Sequence, residues 1–193
     1  MRDVAGGPTG YVAVGGLNDP TAHGAKPSRP AVWTSTDGRR WALQQLPLPG
    51  GSIGAWFDHV AAKGSMIVAT GTATAPSSTR AFAFFSSDGG RSWQQVSLPG
   101  GDGTNATVTA ASTTSSGFAI AGTTGNPGSA DVVVWTSADG HTWTSERPRG
   151  TGLSGKGDQK LTGLTTVGTD LLGVGVTADH AGQQPTLWRR PRG

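Results

Sequence analysis

One short segment occurs three times in this chain at a fixed spacing, and that spacing limits the fold more than any other feature. Trp33-Thr34-Ser35-Thr36-Asp37-Gly38-Arg39-Arg40-Trp41 returns as Phe84-Phe85-Ser86-Ser87-Asp88-Gly89-Gly90-Arg91-Ser92-Trp93. It returns again as Trp135-Thr136-Ser137-Ala138-Asp139-Gly140-His141-Thr142-Trp143. From Asp37 to Asp88 is 51 positions, and from Asp88 to Asp139 is 51 again. A fourth copy begins at Thr186-Leu187-Trp188 and runs out in Arg189-Arg190-Pro191. A fixed period of this length marks an array of identical supersecondary units, each burying its apolar faces against its neighbours.

The rest of each unit repeats as well. A short apolar strand precedes each box: Tyr11–Gly15, Met66–Gly71, Phe118–Gly122 and Leu171–Val176. Before it lies another, at Asp3–Ala5, His59–Ala62, Val108–Ala111 and Leu161–Leu164. After the box comes a polar strand opened by tryptophan: Trp41–Gln44, Trp93–Val96 and Trp143–Glu146. Four strands in a unit of this size predict a β-propeller blade. The expected class is therefore all-β, with four-stranded antiparallel blades at about 1–49, 50–100, 101–150 and 151–193. The last blade lacks its outer strand.

Composition agrees. Of twelve acidic residues, eleven are Asp and one is Glu146, while glycine appears 32 times in 193 residues. Long helices draw on Glu, Lys and Leu, whereas Gly, Thr, Ser and Val suit strands joined by tight turns. The net charge of +3 comes from scattered cations, with one cluster at Arg189, Arg190 and Arg192. Nucleic-acid binders instead show a basic stripe interleaved with aromatics, so nucleic acid is not an expected partner. No cysteine is present, which excludes disulfides, thiol catalysis and Cys-based zinc sites. No apolar run reaches the length of a membrane span.

The pattern Ser-x-Asp-(x)-Gly-x-x-Trp resembles the Asp-box, or bacterial neuraminidase repeat, of sialidase-like β-propellers. Its chemistry can also be read directly. Asp-Gly between two strands is a hairpin signal, because glycine accepts positive φ. The carboxylate can accept backbone N–H bonds within the turn, and the indole can cover the hairpin and fill the gap to the next blade. Ser35, Asp37, Gly38, Trp41, Ser86, Asp88, Gly90, Trp93, Ser137, Asp139, Gly140 and Trp143 are thus assigned to turn-building. The resemblance likewise implies boxes away from any active centre, an exported bacterial protein, and a chain that is a C-terminal part of a larger propeller or a subunit needing a partner. This chain opens on patterned sequence, so an export signal would lie upstream. Open blade edges also make self-association an expectation.

Rigid scaffolds carry function on loops, and in a propeller the loops before the first strand and after the second share one face. That face is expected to gather Trp56, Phe57, Asp58 and His59 from one loop, His23 and Lys26 from another, and Asp158 with Lys160 from a third. As a ligand site, Trp56–His59 would offer an aromatic platform beside an acid and an imidazole, suited to a sugar or peptide. As packing, Trp56 and Phe57 would cover the core and His59 would open a strand; the packing reading weighs more.

Gly150–Gly157 mimics a phosphate loop, but Gly157 stands where a hydroxyl would meet magnesium, and no helix follows. The four histidines lack metal-ligand spacing, so no metal and no cofactor are expected. A sialidase resemblance would also imply an arginine trio and a tyrosine nucleophile with a glutamate partner. The one tyrosine, Tyr11, falls within an apolar strand and Glu146 in a rim strand, and the Phe-Arg-Ile-Pro arginine motif is missing. The expected function is a non-catalytic propeller module that binds or scaffolds protein or glycan. The alternative is a piece of a sialidase-like hydrolase whose catalytic blades lie elsewhere.

Overall fold

In the computed structural model, residues 1–18, 28–102, 105–150, 152–180 and 182–191 are described. They form fifteen strands and no helix, in four antiparallel sheets. The first sheet contains β1 (Asp3–Gly7), β2 (Gly10–Asn18), β3 (Ser28–Ser35) and β4 (Ala42–Gln45). The second contains β5 (Gly54–Lys63), β6 (Met66–Ala75), β7 (Ser78–Ser86) and β8 (Gln94–Val96). The third contains β9 (Thr107–Thr114), β10 (Gly117–Thr124), β11 (Asp131–Ser137) and β12 (Thr144–Glu146). The fourth has only β13 (Asp158–Val167), β14 (Asp170–Asp179) and β15 (Gly182–Arg190). Each sheet is a meander in sequence order. No helix is long and apolar enough to cross a membrane.

The sheets stack face to face like propeller blades. Val12, Val14 and Val32 of the first sheet meet Phe57, Phe82 and Phe84 of the second. Val68, Ala81 and Ala83 of the second meet Phe118, Ile120 and Trp135 of the third. Ala119, Ala121, Val132 and Val134 of the third meet Leu161, Leu171 and Trp188 of the fourth. Each joint therefore sets large side chains of one sheet against small apolar ones of the sheet before it, which fills the space between two flat faces. The first strands β1, β5, β9 and β13 pack on one another in succession and define an inner axis. The outer strands β4 and β12 are exposed throughout and form the rim.

Each box is a closed hydrogen-bonded turn joining the third strand to the outer one. The Ser35, Ser86 and Ser137 hydroxyls donate to Asp37, Asp88 and Asp139 at 3.2, 2.8 and 3.0 Å. The same oxygens accept the N–H groups of Gly38, Gly90 and Gly140 at 2.9, 2.9 and 2.8 Å. Each carboxylate accepts two more backbone N–H bonds, from Arg39 and Arg40, from Arg91 and Ser92, and from His141 and Thr142. The indoles of Trp41, Trp93 and Trp143 donate to the Gly38, Gly90 and Gly140 carbonyls. Gly38, Gly89, Gly90 and Gly140 have φ between 70° and 89°, a region that side chains resist.

Two expectations need correction. Trp93 and Trp143 fill the gap to the preceding sheet, not the next one: Trp93 packs with the cluster between the first and second sheets and Trp143 with that between the second and third. Trp56, Phe57 and Asp58, and likewise Asp158 and Lys160, do not lie on loops. The first strands of the second and fourth sheets start earlier than their apolar patterns suggest, at Gly54 and Asp158, because the long neighbouring strands β6 and β14 offer pairing partners as far as Thr74 and Ala178.

Candidate functional site

Three of the four inner strands carry one extra residue at the same height. In the second sheet Phe57 pairs with Gly71 and His59 with Thr70, leaving Asp58 unpaired. In the third, Ala110 pairs with Ala121 and Val108 with Gly122, leaving Thr109. In the fourth, Leu161 pairs with Gly175 and Gly163 with Val174, leaving Thr162. The first sheet has no such shift; there the N–H of Arg2, just before β1, reaches the Val14 carbonyl at 2.7 Å. A β-bulge bends its strand and re-aims a side chain, and bulges concentrate beside functional sites.

A glycine faces each bulge. A Cβ on Gly71, Gly122 or Gly175 would overlap the carbonyl oxygen of Trp56, Thr107 or Lys160, and one on Gly15 would come within 3.1 Å of the Met1 Cα. These glycines have ordinary φ. They serve the close approach of two backbones, a recognised role of glycine within strands.

The three bulged residues and Arg2 converge. Arg2, Asp58, Thr109 and Thr162 all line one open cavity of about 540 Å³, together with Trp56, His59, Thr107 and Lys160. The Arg2 guanidinium donates to Asp58 Oδ1 at 2.6 Å and lies 4.9 Å from the centre of the Trp56 ring. The Trp56 indole N–H donates to the same oxygen at 3.0 Å. Asp3 joins the first two sheets beneath them: its carboxylate accepts the Val4 and Val60 N–H groups at 2.8 and 2.9 Å, and lies 3.9 Å from His59 Nδ1. Lys160 is exposed at the cavity edge. The Arg2–Asp58 pair is half-exposed on the arginine side, so it contributes at most about 1 kcal/mol and can exchange partners easily.

Four candidates from the sequence thus meet here: Trp56, Asp58, His59 and Lys160. Phe57 does not. It is fully buried and packs edge-on against Phe84, with ring centres 5.8 Å apart, so it belongs to the core and offers no platform. Strand alternation sends it to the face opposite Trp56 and into the joint with the first sheet. Asp158 lines a neighbouring cavity of about 530 Å³ and accepts the Gly128 and Ala130 N–H groups at 2.7 and 3.0 Å, holding a connection of the third sheet. His23 and Lys26 lie outside the described residues. Sequence reasoning missed Arg2, Thr109 and Thr162. The signal was present in the glycines at 15, 71, 122 and 175, which recur at the same place on the second strand of each unit.

A larger cavity lies elsewhere. A groove of about 690 Å³ runs between the first and second boxes, lined by Tyr11, Trp41 and Asp88. Its carboxylate is already held by the turn. Hydrogen bonds from Ser92, first its side chain and then its backbone, hold Asp88 far below the usual carboxylate range. The Thr142 and His141 N–H groups lower Asp139 to about 2, and the Arg40 and Arg39 N–H groups lower Asp37. The acids of the boxes are spent on structure. Glu146 forms an ion pair with Arg190 at 3.1 Å on the outer part of the third and fourth sheets, apart from Tyr11 on the first. No group of three or more metal-ligating side chains occurs among the described residues.

No family model matches the chain, and no curated protein matches it. Solved structures do. A glycoside hydrolase of Parabacteroides distasonis matches with a TM-score of 0.55 and 15% identity, over 93% of this chain and 62% of its own. The beta-fructofuranosidase of family GH32 from Bombyx mori matches with 0.52 and 12%, over 98% and 46%. A GH130 protein, described as targeting beta-1,2 mannosidic linkages in Candida mannan, matches with 0.51 and 13%, over 94% and 63%. The chain therefore has the propeller-like fold of these glycoside hydrolases and spans from about half to under two thirds of their length.

Proposed function

We propose that this chain is a non-catalytic glycan-binding module of the Asp-box propeller type, with the axial cavity as its ligand site. The observation that carries the proposal is the convergence of bulged residues: three inner strands each spend one unpaired residue, and one glycine, to aim a side chain into the cavity that Arg2 enters from the first sheet. The cavity combines an indole with a carboxylate, hydroxyls and an ammonium group, the mixture that holds a polyhydroxylated ring. Of the described residues lining it, only Asp58 is a carboxylate. Glycoside hydrolysis of either stereochemistry ordinarily uses two facing carboxyl groups, so binding is the better-supported chemistry. The three boxes and their 51-residue spacing support the Asp-box reading, and by the same resemblance we place the protein among exported bacterial ones. Carbohydrates are favoured over a protein ligand because two solved neighbours above 0.5 in TM-score are described, one as targeting beta-1,2 mannosidic linkages and one as a beta-fructofuranosidase.

The test is calorimetric titration with mannose- and fructose-containing oligosaccharides, run beside an assay for released reducing sugar. The proposal expects binding without cleavage, weakened at least tenfold in Trp56→Ala and Asp58→Ala. Cleavage by the wild-type chain would overturn it. One observation favours a second reading, a portion of a glycoside hydrolase: the hydrolase chains extend well beyond the match. Under that reading cleavage returns when the longer polypeptide is assayed and disappears with Asp58→Ala.

A further inference from the structure

The axial cavity has a neighbour with which it shares a wall. Thr107 and Lys160 line it and also line the cavity of about 530 Å³ beside it. That second cavity lies at the joint between the third and fourth sheets, with Thr107 and Thr123 on one side and Gln159, Lys160 and Gln183 on the other. Both sides are sheets of this chain. Each cavity alone falls within the usual size of a ligand pocket, about 300–1,000 Å³.

The polar lining of the second cavity is made of amides and hydroxyls beside one exposed ammonium, Lys160. Its one carboxylate, Asp158, is engaged by the Gly128 and Ala130 N–H groups. Asn105 is fixed on the rim: it accepts the Thr79 N–H at 3.3 Å and donates to Asn126 Oδ1 at 2.8 Å. Among the described residues it alone, other than glycines, has positive φ, at 45°, a strain that the surrounding bonds hold in place. Gln159 differs from both. It is 2% exposed, and its Nε2 donates to the Lys156 carbonyl at 2.7 Å, but its Oε1 has no partner among the described residues. Thr109 Oγ1, in the wall of the axial cavity, is in the same state. Buried polar atoms are almost always hydrogen-bonded, so each cavity has one wall oxygen with bonding capacity to spare.

We propose that the second cavity holds the next sugar of a chain whose first sugar occupies the axial cavity. The ligand is then an oligosaccharide of at least two rings, lying along the joint between the third and fourth sheets. The proposal rests on the reading of the axial cavity as the glycan site. Amides and hydroxyls both donate and accept, which matches the double character of every sugar hydroxyl. Lys160 stands where the ligand crosses from one cavity to the other, and its ammonium can donate to an oxygen of either ring.

The experiment is calorimetric titration of the full chain with mannose, beta-1,2-linked mannobiose, fructose and inulobiose. It is run on the wild type, Gln159→Leu, Gln183→Ala and Trp56→Ala, with circular dichroism and melting curves to verify folding. The wild type is expected to bind the disaccharide of the sugar it accepts about tenfold or more tightly than the monosaccharide. Gln159→Leu and Gln183→Ala remove most of that advantage and leave monosaccharide affinity unchanged, because neither residue lines the axial cavity. Should Gln159→Leu fail to fold, the exposed Gln183→Ala carries the test. Trp56→Ala weakens monosaccharide and disaccharide alike. A wild type that binds the monosaccharide as tightly as the disaccharide overturns the proposal and leaves the axial reading standing. A disaccharide advantage that survives in Gln183→Ala and in folded Gln159→Leu overturns it too. Binding of none of the four sugars overturns both.

Discussion

Asp58 and Asp88 belong to the same sheet and are both hydrogen-bonded, yet their partners differ in kind. Asp88 closes the hairpin between β7 and β8 and is held by the Arg91 and Ser92 N–H groups and the Ser86 and Ser92 hydroxyls. Every one of those donors comes from the turn itself. Asp58 stands on β5, and its partners are two side chains, Arg2 from the preceding sheet and Trp56 two residues away. Backbone donors cannot leave without unfolding the turn, whereas a side-chain donor can swing to a ligand at little cost. An aspartate bound by backbone is a piece of the fold, and an aspartate bound by side chains over a cavity is free to recognise something.

The comparison can be broken most forcefully through the backbone. Gly71→Val places side-chain atoms against the Trp56 carbonyl, so β5 and β6 must separate where Asp58 bulges. A loss of about 3 kcal/mol or more is expected from such overpacking, measured by urea unfolding, with the Trp56 environment lost in step. Ser86→Ala is milder. It removes the buried oxygen that accepts the Gly90 N–H at 2.9 Å and donates to Asp88, and about 1 to 2 kcal/mol is expected from the same measurement. Equal tolerance of Ser86→Ala and a surface serine variant would show that the boxes are dispensable.

Acid sharpens the contrast further. The box carboxylates have folded-state values below their ordinary value of 3.8, so their stabilisation is full above that value and declines as pH falls below it. For Asp139 the decline runs from near 4 down to about 2. A melting temperature that falls steeply through this range in the wild type, and less steeply in Asp139→Asn, is the expected outcome. The smallest effect belongs to the axis. Asp58→Asn keeps a hydrogen-bond acceptor and disturbs only a half-exposed ion pair, so stability should change by no more than about 0.5 kcal/mol while oligosaccharide affinity falls.

The all-β class, the strand order and the three-stranded fourth sheet were legible in the sequence, because hydrophobic runs and Asp-Gly turns are local signals. The boxes were legible residue by residue for the same reason. The axis was legible only in part. Trp56, Asp58, His59 and Lys160 stood out by type, but Phe57 stood beside them and goes to the core. Which neighbour faces the cavity depends on the bulge at Asp58, and a one-residue shift reverses every side chain that follows. Arg2, Thr109 and Thr162 are ordinary residues in sequence. They become a ring only when four strands are brought side by side, a non-local fact that no local pattern encodes.

Four of the seven tryptophans mark the two kinds of site: Trp41, Trp93 and Trp143 the boxes and Trp56 the axis. The most direct test follows the indole N–H signals by ¹⁵N-correlated NMR during titration with a mannose-containing oligosaccharide and, separately, a fructose-containing one. Movement of the Trp56 signal, with the three box indoles unmoved, is the result expected of an axial binding site. Movement of the box indoles while Trp56 stays still would contradict it and put recognition at the turns.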